Sequence, residues 1–238
     1  MDHELIEIVE SAMGRMLVLK TDTVIGEKIR TTGDYGAEEK ALLSRLLQAD
    51  QTVVDVGANI GSHTLFFSRE VGNNGKVYSF EAQRFLFQVL CGNVALNSLR
   101  NVWCIPAALG SEQGRVDVPV PDYSRDNNYG GYSLSFDTFK ESGYMLTLDA
   151  IPLEACHLIK IDVEGMELEV LRGSRKTIET FQPLLYLENN RPEKEQELLR
   201  FIDKSLGYDI FKHRQNVICC HRSTEVVPDE IAALTRLN

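Results

Sequence analysis

The chain has 238 residues, 43% of them hydrophobic and 25% charged, with seven prolines and one tryptophan, which excludes a disordered or collagen-like polymer. Its net charge of −10 gives a long-range field that repels nucleic acid and anionic membranes. Five cysteines, an odd number without C-x-x-C spacing, signal neither a disulfide framework nor a zinc site. The opening Met1-Asp2-His3-Glu4 is acidic where a secretory leader needs positive charge, and no apolar run nears the roughly 18 residues of a membrane span. The expectation is a cytoplasmic protein with one large domain.

Along the chain, alternation across Met16-Leu17-Val18-Leu19 and Val24-Ile25, around Thr21-Asp22-Thr23, predicts an N-terminal hairpin. Residues 1–36 are therefore expected to be an appendage, and residues 37–238 the main domain. Leu42, Leu43, Leu46 and Leu47 recur at helical spacing behind Glu38 and Glu39, whose carboxylates suit a helix N-terminus. Strand-like runs at 52–56, 76–80, 102–107, 157–161 and 183–187 alternate with helical ones at 62–69, 84–97 and 166–171. A helix at 192–206 and strands at 208–212 and 217–220 complete the series. Such alternation predicts a doubly wound α/β fold with a mostly parallel sheet and a ligand crevice at the strand carboxyl ends. The segment 119–143, rich in turn formers and tyrosine, reads as an exposed insertion that binds substrate or is merely mobile. Tyr129 and Tyr132 within it suit stacking on a sugar ring or plain loop packing.

The most informative stretch is Asp55-Val56-Gly57-Ala58-Asn59-Ile60-Gly61, a buried strand entering a glycine turn and then a helix. Gly57 and Gly61 permit close backbone approach, and Asp55 can accept hydrogen bonds at the strand end. Glu81 follows the next strand, where its two acceptor oxygens match a ribose diol. A dinucleotide fingerprint needs glycines at 57, 59 and 62, but positions 59 and 62 hold Asn59 and Ser62. The turn therefore better suits a cofactor without phosphates, such as S-adenosyl-L-methionine.

These segments, with Asn93-Val94-Ala95-Leu96-Asn97, Ala107-Ala108-Leu109-Gly110, Leu146-Thr147-Leu148-Asp149, Ile159-Lys160-Ile161-Asp162-Val163-Glu164-Gly165 and Leu187-Glu188, closely resemble the FkbM-type methyltransferases. The resemblance runs from about residue 33 to about residue 190. It implies a class I methyltransferase, Rossmann-like fold with a seven-stranded, mostly parallel sheet, and it implies S-adenosyl-L-methionine as cofactor. By that resemblance Asp55, Gly57, Asn59, Gly61 and Glu81 bind the cofactor, joined by Ala108 and Asp162. The family often has a Glu beside the aromatic upstream of the first helix. Here Gly36 follows Tyr35, which makes Glu39 or Glu38 the expected contact to the methionine end.

Methyl transfer to a hydroxyl needs alignment and a group to manage the proton. In this fold the fourth strand delivers residues beside the reactive methyl, and here it ends Lys160-Ile161-Asp162-Val163-Glu164. Alternation puts Lys160, Asp162 and Glu164 on one side, unless Asp162 or Glu164 instead caps the helix opening at Met166. Asp162, Glu164 and Glu188 are the candidate catalytic residues. The grouping of Asp162, Glu188 and Asn189 is similar to the magnesium site of catechol-type methyltransferases, so these three are the candidate ligands of a divalent cation, magnesium or manganese. His63 opens the helix after the glycine turn and is either an acid or base or a packed side chain.

The reading that results is an O-methyltransferase acting on a hydroxyl of a sugar, glycan or polyketide-like natural product, with a small-molecule or glycan acceptor, no nucleic-acid partner and no membrane span. The alternatives are an NAD-linked oxidoreductase, a nucleic-acid methyltransferase and a scaffold without activity. Asn59 and Ser62 oppose the first. The acidic charge, together with Asn189-Asn190-Arg191-Pro192 where such enzymes carry an Asn/Asp-Pro-Pro-aromatic motif, opposes the second. Retention of Asp162, Glu164 and Glu188 opposes the third.

Overall fold

The computed structural model describes residues 4–224 and 227–238; the opening Met1-Asp2-His3 lies outside them. The chain begins with the antiparallel hairpin β1 (Ile6–Ser11) and β2 (Gly14–Leu19), followed by helices α1 (Ile25–Thr32) and α2 (Ala37–Leu46). The hairpin exists, but one strand earlier than the alternation predicts. Val24-Ile25 enters α1 because Asp22 Oδ1 accepts from the free amides of Val24 (2.9 Å) and Ile25 (3.2 Å), as a capping carboxylate does. Nor does the hairpin stand apart: Asn93 Oδ1 accepts from Leu17 N (2.6 Å) while its Nδ2 donates to Leu17 O (3.1 Å) and Ile60 O (2.7 Å).

The central alternation then unfolds as expected. β3 (Thr52–Val56) leads to α3 (Ser62–Val71), β4 (Lys76–Phe80), α4 (Arg84–Leu96) and β5 (Val102–Ile105). A small second sheet follows, of β6 (Ala108–Leu109), β7 (Gly114–Pro119) and β8 (Lys140–Leu146) in the order β6-β8-β7. The chain returns to the main sheet with β9 (Leu158–Ile161), α5 (Glu167–Arg172), α6 (Arg175–Phe181) and β10 (Leu184–Glu188). It ends with α7 (Pro192–Arg200), a π-type turn (Phe201–Ser205), β11 (Tyr208–His213), β12 (Asn216–His221), α8 (Asp229–Ala232) and β13 (Thr235–Arg236).

The main sheet has the order β13-β11-β12-β10-β9-β3-β4-β5. β5, β4, β3, β9 and β10 are mutually parallel, and β12 runs antiparallel between β10 and β11. The seven strands expected from sequence are present. An eighth, β13, is added where the C-terminus folds back and Leu237 N donates to Ile210 O (2.8 Å). β3 is all buried, as a parallel strand covered on both faces requires. The strand order reverses between β3 and β9, so the crevice falls where β3 ends in Gly57 and β9 ends in Asp162.

The segment 119–143 is largely at the surface, as its composition predicts, but it is anchored at its middle. Thr23 N donates to Asn127 O and Asn127 N to Thr21 O, both at 3.0 Å. Tyr129 is fully buried, its hydroxyl bonded to Thr21 Oγ1 (2.9 Å) and the Arg125 carbonyl. Backbone pairing that bridges about a hundred residues of sequence carries no local signature.

Candidate active site at the strand ends

Gly57 is dictated by packing. Its φ is +78°, and a Cβ there would lie 1.8 Å from the carbonyl oxygen of Asp162, so the turn after β3 touches the end of β9. Asn59 also has positive φ (52°), a conformation asparagine tolerates better than most residues. Its Oδ1 accepts from Ile60 N (2.7 Å) and its own amide donates to Glu81 Oε2 (2.8 Å). Glu81 Oε1 accepts from Gln83 N (2.8 Å). Burial pushes the Glu81 carboxyl up to about 7 despite these two amide bonds and the charge of Lys160.

Gly57, Ala58, Asn59 and Glu81 line one cavity with Ala107, Ala108, Lys160, Asp162, Glu164 and Glu188. Its empty volume, open mouth included, is about 1110 Å³, room for a nucleoside-sized cofactor and an acceptor. Three expected cofactor contacts are not among the residues that line it. Asp55 is fully buried, accepting from Thr64 Oγ1 (2.7 Å) and 3.6 Å from Lys160 Nζ. Gly61 is the left-handed residue preceding α3, packed on Leu90. Glu39 stands beyond His63, with Oε2 3.1 Å from His63 Nε2 and Oε1 accepting from Asn216 Nδ2 (2.9 Å). Burial raises the Glu39 carboxyl, but His63, Lys160 and Asn216 outweigh it and hold it below its usual value.

At the other end, Asp162, Glu164 and Glu188 bring carboxylate oxygens within 4.8 Å of one another. Glu164 adopts φ +55°, so the strand alternation ends at this residue, and its carboxylate meets Arg191 Nη2 at 2.8 Å. Glu188 Oε1 accepts from Asn190 Nδ2 (2.7 Å), while its Oε2 is buried without a hydrogen-bond partner. Burial, and then the neighbouring Asp162, Glu164 and Glu167, push the Glu188 carboxyl up to about 9. Neither Asp162 nor Glu164 caps the following helix. The N-cap residue is Met166, without a side-chain bond, and Glu167 Oε1 accepts from Gly165 N (2.9 Å) in the turn before the helix.

The expected metal set does not assemble. The Asn189 side chain is buried against α7, its Nδ2 donating to Glu195 Oε1 (2.7 Å). Glu164 takes its place in the cluster, but Arg191 already neutralises Glu164, and Lys160 lies 3.4 Å from Asp162. Two of the three carboxylates, Asp162 and Glu164, are thus already paired with internal cations, a poor match to a hard cation that prefers several free ionised oxygens.

Several wall residues carried no clear signal in sequence. His63 is buried and lines the cavity, with Tyr35 edge-on to its ring at 6.3 Å. Tyr132 and Leu134 form wall from the 119–143 segment, whereas Tyr129 is core. Such residues come together through tertiary packing, whereas turn and strand-end positions such as Gly57, Asn59, Glu81, Asp162 and Glu188 follow from the sequence pattern.

Comparison with known proteins agrees with this geometry. The profile of the Methyltransferase FkbM domain matches residues 55–210. Methyltransferase sdnD of Sordaria araneosa is 27% identical over 231 residues, covering 79% of this chain and 82% of that protein. The crystal structure of Methyltransferase FkbM from Methylobacillus flagellatus superposes with a TM-score of 0.56 at 22% identity, covering 75% of this chain but 46% of that one. A Streptococcus mutans protein solved in complex with SAH superposes with a TM-score of 0.50 at 13% identity, covering 77% and 96%. The last two establish the class I methyltransferase fold alone. Among the described residues no helix is long and apolar enough to cross a membrane. With the profile matching well over half of its length, and with donor turn and acidic strand ends in one crevice, the chain belongs to the FkbM methyltransferase family.

Proposed function

We propose that the protein is an S-adenosyl-L-methionine-dependent O-methyltransferase whose acceptor is a hydroxyl of a sugar, glycan or polyketide-like natural product. The observation that carries this reading is Glu81: a buried carboxylate that forms no ion pair among the described residues, oriented by Asn59 N and Gln83 N, and opening into the cavity that holds Asp162 and Glu188 at its other end. Each carboxylate oxygen keeps a lone pair beyond its amide bond, which fits the two hydroxyls of a ribose. Gly57, Ala58, Asn59 and Ala108 supply the surrounding wall. When bound, the cofactor supplies an electrophilic methyl group on a positively charged sulfur.

The reaction end serves the acceptor. Asp162, whose carboxylate is held by Lys160 at 3.4 Å, accepts the hydrogen of the acceptor hydroxyl. Glu188, whose carboxyl burial and the neighbouring Asp162 push up to about 9, faces the same space and orients the acceptor oxygen by a hydrogen bond. Glu164, fixed by Arg191, borders the same space. A divalent cation is not part of this scheme. The net charge of −10 disfavours a nucleic-acid acceptor, and Asn59 and Ser62 at two fingerprint glycine positions disfavour a dinucleotide cofactor.

Calorimetric titration with S-adenosyl-L-methionine and its demethylated product, together with methyl transfer from labelled donor to a panel of hydroxylated acceptors, tests this. Glu81→Ala is expected to weaken cofactor binding by a hundredfold or more. Asp162→Ala is expected to bind the product within threefold of wild type and to transfer no methyl group. Wild-type affinity in Glu81→Ala would falsify the assignment.

A further inference from the structure

Lys160 is a buried ammonium at the centre of the crevice, and the scheme above uses it only to hold Asp162. Resting on that scheme, we propose that Lys160 is a positioning residue. Its single ammonium ties the carbonyl of the donor turn to the carboxylate at the reaction end, and its charge sets the preference between the cationic methyl donor and its neutral product.

Three acceptors surround Lys160 Nζ: Gly57 O at 3.4 Å, Asp162 Oδ2 at 3.4 Å and Asp55 Oδ1 at 3.6 Å. The side chain is 5% exposed and contributes to the cavity wall. None of the contacts is short, so the ammonium sits between its partners rather than committed to one. The register of the sheet puts it there, since Lys160 on β9 is the Cα partner of Asp55 on β3. Asp55 Oδ1 has no hydrogen-bond partner, which makes Lys160 its charge compensation. A fully buried carboxylate without such a neighbour is costly. Burial alone lowers the ammonium's pKa, but Asp162, Asp55 and Glu39 outweigh it and push it above its usual value.

The contact with Gly57 gives this ion cluster a second task. The turn already touches the end of β9, where a Cβ on Gly57 would meet the Asp162 carbonyl. The ammonium therefore links the two halves of the site across their closest approach. Asp55, Asp162 and Lys160 together carry one net negative charge where the turn meets the end of β9, the place proposed for the reacting sulfur. A sulfonium is favoured there over a neutral thioether, and Lys160 moderates that preference, so that the spent product is not expelled and the donor is not held too tightly. Lys160 and Asp55 are buried and little screened by salt, whereas Asp162, with 38% of its side chain exposed, is screened more.

The test measures dissociation constants of S-adenosyl-L-methionine and S-adenosyl-L-homocysteine for the full chain by calorimetry. The variants are Lys160→Gln, Lys160→Arg and Asp162→Asn, each checked for folding by circular dichroism. Lys160→Gln is expected to raise the preference for the charged donor threefold to tenfold, and Asp162→Asn to lower it by a similar factor. Lys160→Arg, which keeps the charge, is expected to stay within twofold of wild type. Opposite signs distinguish the electrostatic role from a loss of packing, which weakens both ligands alike. If Lys160→Gln does not fold, Lys160→Arg and Asp162→Asn carry the comparison. A donor-to-product ratio that stays constant, or that moves the same way in Lys160→Gln and Asp162→Asn, overturns the proposal while leaving the cofactor assignment intact. Failure of the wild type to bind either compound overturns both.

Discussion

Glu81 shows how one side chain can be shaped by burial and still be available. Two backbone amides hold its oxygens, no cation compensates it, and its carboxyl sits near 7 rather than in the usual range. In the proposed role Glu81 accepts hydrogen bonds from the hydroxyls of a ribose, which requires its ionised form, so that role ties cofactor affinity to ionisation. Affinity for S-adenosyl-L-homocysteine is expected to rise about tenfold per pH unit below 7 and to level off above it. Calorimetry from pH 5.5 to 8.5 checks this, and Glu81→Gln should bind weakly with little pH dependence. For the empty protein the sign is opposite. A carboxyl whose folded pKa is raised contributes stability present below its unfolded value, near 4.5, and lost as pH climbs through about 7. Cofactor binding and folding thus respond to Glu81 in contrary directions, which a flat affinity profile would contradict.

Elements differ in how far their cause lies along the chain. α3 was legible because its glycine turn and apolar spacing are local. α6 was not: its first amides, those of Lys176 and Thr177, donate to Asp149 at 3.0 and 2.8 Å, from a carboxylate 27 and 28 positions earlier. The hairpin illustrates the same point. Asn93 on α4 bonds both backbone groups of Leu17 and the carbonyl of Ile60, so one buried amide fixes the hairpin and the donor turn together. Asn93→Leu strands these three groups without partners and is expected to cost about 2–4 kcal/mol, read as the unfolding midpoint in urea. Because Ile60 belongs to the donor turn, cofactor affinity should fall severalfold in the same variant. A loss of stability with unchanged affinity would show that the hairpin and turn are mechanically separate.

At the scale of the molecule, the reversal of strand order between β3 and β9 gathers the cofactor turn and the acidic strand ends into one crevice. The small sheet of β6, β7 and β8, with the segment after β7, closes one side of it. Charge within the crevice is only partly balanced internally, by Lys160 shared between Asp55 and Asp162 and by Arg191 on Glu164. With Asn189 turned to Glu195, stripping divalent ions with a chelator is expected to leave cofactor affinity within twofold and the thermal midpoint within about 1 °C, since binding of a resident ion adds RT ln(1 + [L]/Kd) to stability. A clear drop in the midpoint, restored by magnesium or manganese, would reinstate the ion.

What the sequence by itself determined is what depends on neighbours in the chain: the β-α-β alternation, the glycine turn at 57–61, Glu81 after the next strand, and the acids ending β9 and β10. Period and turn chemistry act within about ten residues, so they can be read directly. Only the tertiary structure decided which residues face the crevice. It buried Asp55 and Gly61, paired Glu39 with His63, turned Asn189 to α7, buried Tyr129, and brought His63, Tyr35 and Tyr132 to the surface of the cavity. The physical reason is that a side chain's partner is set by packing between distant segments, and a hydrogen bond or ion pair across a hundred residues leaves no mark on the residues beside it.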